Sequence, residues 1–253
     1  MDAAETLALY DSTMRAETAP DDAVRIERVG HVVRVIGDSW CSVDSPELTA
    51  TEAPEVVAEQ TAFLRTLGRE VEWKVYGHDQ PPRLGELLRS AGYFADPLET
   101  LEVLDLSEPL DVGPVRAGLQ VRRVVDSEGL SIAGKVSLDA FGLGEGWNLG
   151  EYEKRLADPS FAAFVAYVDG VPVSSARLEM PRERPFASLW GGGTTPQYRR
   201  QGIYRKLVAV RAELARQHGY RFLTVDARET SRPILERIGF RPLTTITGWK
   251  LKP

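Results

Sequence analysis

The stretch from Gly191 to Tyr204, Gly-Gly-Gly-Thr-Thr-Pro-Gln-Tyr-Arg-Arg-Gln-Gly-Ile-Tyr, constrains this chain more than any other. Three glycines, a proline and a basic turn run straight into a segment where Ile203, Leu207, Val210 and Leu214 recur at helical spacing. The pattern predicts a strand end, a tight turn and the first turn of a helix. The first N–H groups of a helix lack intrahelical acceptors and carry the positive end of its dipole. Arg199, Arg200, Arg205 and Lys206 add positive charge at the same place. Such a terminus suits an anion, above all a phosphate. Gly202 has no Cβ to hold an anion off, so an aspartate there is expected to abolish anion binding and leave the fold intact. A solvated basic turn explains the same spacing, and the surroundings must decide between the two.

Those surroundings read as alternating helices and strands. Leu119, Val121 and Val124 mark a strand over 119–125. Ile132, Val136, Ala140 and Phe141 mark a helix that stops at Gly142, and Leu149, Tyr152 and Leu156 a second one. Residues 161–168 form a β run, and Asp169-Gly170 favours a tight hairpin turn into a partner strand over 171–180. Residues 186–190 lead into the glycines. After the long helix come a strand over 221–227, a short helix over 231–238 and a last strand over 243–251.

Arg199-Arg200-Gln201-Gly202-Ile203, preceded by Thr194-Thr195-Pro196, resembles the signature of the GCN5-related N-acetyltransferase (GNAT) family. That signature is Arg/Gln-x-x-Gly-x-Gly/Ala after a strand ending in Val-x-Pro. Tyr204 departs from it, putting a large ring where the family keeps a small residue and crowding the turn. Ser231 to Phe240 resembles a second family stretch, Ala-x-x-Leu-Tyr-x-Lys-x-Gly-Phe, with Ser231 or Thr230 as the expected helix cap. The resemblance covers about 135 residues, roughly half the chain. It implies an α/β (α+β) fold with a mixed central sheet flanked by helices, and acetyl-CoA as acyl donor. The acceptor it implies is an amine on a small molecule or peptide. It places the pyrophosphate on Arg199, Arg200, Gln201, Gly202, Ile203, Tyr204 and Arg205, and the pantetheine and thioester beside Gly193, Thr194 and Thr195. The loop over 142–148 would cover the acceptor, with Glu145 and Trp147 offering charge and a ring face to a cation. A tryptophan plugging the edge of the core explains Trp147 equally well.

The catalytic residues stay unassigned. Leu235 stands where many family members carry a proton-donating tyrosine, and the window Ala187-Ser188-Leu189-Trp190 lacks the family's glutamate. Glu179 and Asp226 are the nearest carboxylates, with Arg177 the expected partner of Glu179 and a scaffold role expected for Asp226. Two functions remain open: an acyl-CoA-dependent N-acyltransferase, or a non-catalytic acyl-CoA-binding or regulatory protein.

The N-terminal half reads as a worn copy of the same plan. Gly92 follows Asp79 at the distance at which Gly239 follows Asp226, with Leu87-Leu88 at the offset of Ile234-Leu235. A hairpin turning near Gly30, a helix over 54–67 and a closing strand over 100–106 complete it. Residues 1–108 are therefore expected to form a truncated GNAT-like domain and 119–253 the acetyltransferase domain. Residues 109–118, with two prolines and two glycines, would link them. The acidic stretch over 44–54 repels phosphate, so the first half is expected not to hold the cofactor. A net charge of −6 argues against a nucleic-acid binder. No apolar run is long enough to span a membrane, and no secretory signal is seen at the N-terminus. Cys41, the only cysteine, fits a reducing cytoplasm, and three scattered histidines suggest no metal site.

Overall fold

The structure, a computed structural model, describes residues 1–17, 24–142 and 149–252. Along the chain lie α1 (Ala3–Tyr10), a π-helical turn (Asp11–Ala16), β1 (Arg25–Val29), β2 (Val32–Ile36), β3 (Trp40–Asp44) and α2 (Ala53–Thr66). Next come β4 (Glu70–Tyr76), α3 (Leu84–Ser90), β5 (Phe94–Ala95), β6 (Glu99–Asp105) and β7 (Leu119–Arg123). Then follow α4 (Ser127–Phe141), α5 (Leu149–Arg155), β8 (Phe161–Val168), β9 (Val171–Glu179) and β10 (Phe186–Thr194). The chain closes with α6 (Ile203–Gln217), β11 (Phe222–Arg228), α7 (Arg232–Arg237) and β12 (Arg241–Leu251). They form two compact units. The first joins Met1–Glu102 to Asp226–Arg232 and Pro242–Pro253; the second joins Val103–Val225 to Pro233–Arg241.

In the first unit β1, β2 and β3 pair antiparallel in sequence, and α2 then carries the chain to β4, which lies parallel to β3. The second unit repeats that course: β8, β9 and β10 pair antiparallel, and α6 leads to β11, parallel to β10. Each unit thus has a mixed sheet, because a hairpin reverses the chain and a helical crossover does not. The Asp169-Gly170 turn works as its sequence requires: both residues have positive φ, 51° and 82°. In α4, Asp126 caps the first turn by accepting from the Gly129 N–H at 2.8 Å, and Gly142 ends the helix at φ 90°.

Sequence reading misses α1, the π-helical turn, β3 and the two-residue β5. Strand β3 is five residues long, and its last one, Asp44, opens the stretch that reads as an acidic loop. The last strand behaves differently from its place in the sequence. From Ile246 to Leu251, β12 pairs antiparallel with β4, and Trp249 and Leu251 enter the core of the first unit with Val43, Trp73, Leu84 and Leu88. Gly85 has no room for a side chain, since a Cβ would stand 2.5 Å from the Trp249 ring.

Beneath this core a single cation organises three carboxylates. Arg15 is 1% exposed and donates to Asp11 at 2.8 Å, Asp44 at 2.9 Å and Asp79 at 2.8 Å, with its guanidinium 3.7 Å above the Tyr76 ring. Removing one member of a buried ion network leaves the others uncompensated. Arg15→Met should therefore cost about 3–5 kcal/mol in urea unfolding; a loss near zero would mean the carboxylates do not need it. Glu99 supplies a pH signature. Burial, and then the neighbouring Asp226 carboxylate, push it up to about 7. A carboxyl group raised in the folded state contributes stability that is complete below its unfolded pKa and lost as pH rises through about 7. Relative to wild type, Glu99→Gln should therefore gain melting temperature between pH 5 and pH 8. An unchanging gap would contradict the shift.

Candidate functional site

Strand β10 shows why it needs consecutive glycines. A Cβ on Gly193 would lie 2.6 Å from the Phe141 ring at the end of α4, and one on Gly192 would lie 3.0 Å from the Tyr204 ring of α6. Successive residues face opposite sides of a strand, so a helix crowds each face in turn. The pairing with β9 passes through Trp190↔Arg177, breaks at a bulge, and resumes at Gly193↔Ser175. The parallel pairing with β11 ends at Ser188↔Thr224. From Leu189 to Thr194 the β11-facing edge of β10 has no strand partner among the described residues. An extended ligand carrying amides can add itself to such an edge.

The turn after β10 is tied down before it reaches α6. The Thr195 N–H donates to the Val173 carbonyl at 2.9 Å, and the Ser174 hydroxyl donates to the Gly193 carbonyl at 2.6 Å. Arg199 donates to the carbonyls of Thr194, at 3.0 Å, and Ala140, at 2.8 Å, which fastens the end of β10 to the end of α4. Arg200, exposed, and Gly202 both adopt the left-handed conformation, at φ 62° and 78°. That conformation is rare for arginine and costs about 1 kcal/mol. No side chain caps α6, and the Lys206 N–H donates to the Gly202 carbonyl at 3.0 Å. The amides of Ile203, Tyr204 and Arg205 thus precede the helix's own bonding and have no intrahelical acceptor.

Gly202 is glycine for a further reason than the one read from sequence. A Cβ there would stand 2.6 Å from the Pro114 carbonyl oxygen. The segment 113–116 crosses the turn: Arg116 donates from its backbone to the Gln201 carbonyl at 3.1 Å and from its side chain to Gln201 Oε1 at 2.7 Å. Arg205 donates to the Pro114 carbonyl at 2.9 Å. An aspartate at 202 would therefore strain the turn itself as well as meet any anion. Tyr204 turns its half-buried ring against Gly192 of β10.

The buried face of α6 is also rotated from the expected one. Ile203, Leu207, Val208, Arg211, Ala212 and Ala215 are buried, whereas Val210 and Leu214 are half-exposed. Arg211 was missed, although an arginine four residues after Leu207 on an apolar stripe is the signal that finds it. Glu179 accepts from Arg155 at 3.1 Å, while Arg177, its expected partner, lies 4.6 Å from the Tyr152 ring centre. In the first unit, Asp226 pairs with Lys74 at 2.6 Å. Burial opposes the Lys74 charge, but Asp226 and Glu72 outweigh it and hold the ammonium above its ordinary pKa. Leu235 is fully buried, and the Ser231 hydroxyl donates back to the Arg228 carbonyl. Glu145 and Trp147 lie outside the described residues. No metal-binding cluster occurs among the described residues, and no described helix is long and apolar enough to cross a membrane.

Residues 136–240 match the model of the acetyltransferase (GNAT) family. No protein of curated function matches the sequence. Among solved structures, the chain is similar to a GCN5-related N-acetyltransferase from Kribbella flavida, at 18% identity and TM-score 0.71, over 98% of this chain and 93% of that one. It is similar to a functionally unknown conserved protein from Staphylococcus epidermidis at 14% identity and TM-score 0.66, over 96% and 97% of the two chains. It is also similar to a tandem GNAT protein of the clavulanic acid biosynthesis pathway, at 16% identity and TM-score 0.60, over 99% and 96%. Residues 136–240 thus carry the match to the acetyltransferase (GNAT) family, and the chain shares its α/β fold with GNAT proteins, tandem ones included.

Gly202→Ala should cost about 1–3 kcal/mol in thermal or urea unfolding, from its positive φ and the Pro114 contact. An unchanged stability would show that the 113–116 segment yields freely.

Proposed function

We propose that this protein transfers an acyl group, in the simplest case acetyl from acetyl-CoA, to the amine of a small molecule or peptide. The observation that carries the reading is the uncapped start of α6, entered through the left-handed Arg200 and Gly202, directly beyond a strand whose β11-facing edge has no strand partner over 189–194 among the described residues. The first-turn amides, with Arg200, would hold the pyrophosphate, and the open edge of β10 would pair with the pantetheine amides. Main-chain N–H groups at Gly193 and Thr194 would polarise the thioester carbonyl. The bound thioester supplies the acyl carbon and a thiolate leaving group. The acceptor must shed a proton before attack, because an alkylamine is cationic at neutral pH.

By sequence order the acyltransferase domain is 119–253, reached through a linker at 109–118, with a truncated GNAT-like copy over 1–108. The shared course of strands in the two units supports the copy. So does the start of α2, where Glu52 accepts from the Thr49 N–H at 2.8 Å and puts a carboxylate where a phosphate would sit. A specific observation favours the second reading, an acyl-CoA-binding protein without turnover: Leu235 is buried, and Glu179 and Asp226 are both committed to cations.

Calorimetric titration of acetyl-CoA into wild type and Arg200→Glu tests the site. Arg200 is exposed, so the variant should keep its melting temperature and lose about tenfold or more in affinity. Equal affinities would remove the turn from the binding site. Thiol release with a panel of amines then separates the two functions.

A further inference from the structure

Among the described residues, no carboxylate neutralises the buried charge of Arg211. It is 1% exposed, inside the second unit, on the third turn of α6. Its Nε donates to the Leu207 carbonyl at 3.1 Å, one turn back, and its Nη1 to the Arg177 carbonyl at 2.9 Å. Its Nη2 is buried and has no hydrogen-bond partner among the described residues. That nitrogen points at the bulge of β10: it lies 3.3 Å from where a Gly192 Cβ would stand, beside the Tyr204 ring. Burial brings the guanidinium pKa down to about 10, against a pull upward from Tyr204 and with a smaller push down from Arg177. No carboxylate is among them.

A buried cation held by two carbonyls alone is expensive, and a leucine or methionine would fill the same space without that cost. Hydrogen-bonding two carbonyls requires no net charge. The charge itself, with one nitrogen unsatisfied, calls for an anion that arrives with the ligand. A phosphate is too far along the chain to be that anion, since the uncapped turn lies two helical turns earlier, about 12 Å away by helix rise. What reaches the bulge, on the reading proposed above, is the acyl end of the thioester.

We propose that Arg211 recognises a carboxylate at the far end of the acyl group, so that the preferred donor is a dicarboxylic acyl-CoA of the malonyl or succinyl type and not acetyl-CoA. The guanidinium offers Nη2 to one carboxylate oxygen, a charge-assisted hydrogen bond at a buried position. Acetyl leaves that donor unsatisfied, and a buried unpaired donor is where discrimination between such similar ligands arises.

The inference rests on acyl-CoA binding at this site, and one set of titrations separates its failure from the failure of that reading. CoA, acetyl-CoA, malonyl-CoA and succinyl-CoA are titrated into wild type, Arg211→Met and Arg211→Lys, with melting temperatures as the fold control. Wild type should bind malonyl- or succinyl-CoA about tenfold or more tighter than acetyl-CoA. Arg211→Met should bring that ratio to about one while CoA itself binds as before, and Arg211→Lys should restore part of it. Absence of binding by all four ligands sinks the cofactor reading itself. Binding of CoA and acetyl-CoA by wild type, with no preference for the carboxylated donors, overturns the Arg211 proposal alone and leaves the residue as a clamp of α6 on β9. The wild-type titrations separate these outcomes even if the methionine variant fails to fold.

Discussion

The parting of two parallel strands is the constraint on which the rest of the site depends. β10 and β11 share only Phe186↔Phe222, Ala187↔Leu223 and Ser188↔Thr224, and then separate. Backbone polar groups need partners, and a strand edge left open must be met by water or by a ligand. Everything around it keeps the edge open in a fixed shape. The bulge at Trp190–Gly193 redirects the strand, helices crowd both faces through Gly192 and Gly193, and Arg199 fastens its end to α4. The uncapped start of α6 then presents amides to whatever follows the strand outward.

Charge inside the two units is handled in opposite ways. In the first, Arg15 is surrounded by Asp11, Asp44 and Asp79, and Lys74 is matched by Asp226, so each cation is compensated on the spot. A compensated network specifies structure. In the second unit Arg211 has carbonyls and a neighbouring arginine, with one donor left over beside the bulge. Fully satisfied charges hold a fold, whereas an unsatisfied one costs stability and is retained at sites of use.

Much of the fold was legible in the sequence because its signals are local. A run of β-forming residues gave β8, Asp169-Gly170 gave the hairpin to β9, and helical spacing with glycines at a terminus gave α4 and α6. The turn was legible because glycine and basic residues there answer a backbone need. What was missed depends on partners distant in sequence. The five residues of β3 gain their identity from β2 and β4, and the rotated stripe of α6 was hidden because Val210 and Leu214 are apolar but half-exposed. The grouping of β12 with the first unit comes from its pairing with β4, 170 residues away from Tyr76 to Ile246. The role of Gly202 was half legible: its missing Cβ was read as room for an anion, whereas its φ of 78° and the Pro114 carbonyl lying across it needed the structure.

Amide hydrogen exchange with and without CoA reads the central claim directly, residue range by residue range. Binding at the parted strands predicts slowed exchange in two stretches together, the edge of β10 over 189–194 and the turn into α6 over 200–205, with α2 and its preceding loop unchanged. Protection confined to the start of α2, or no protection anywhere at saturating CoA, would contradict it.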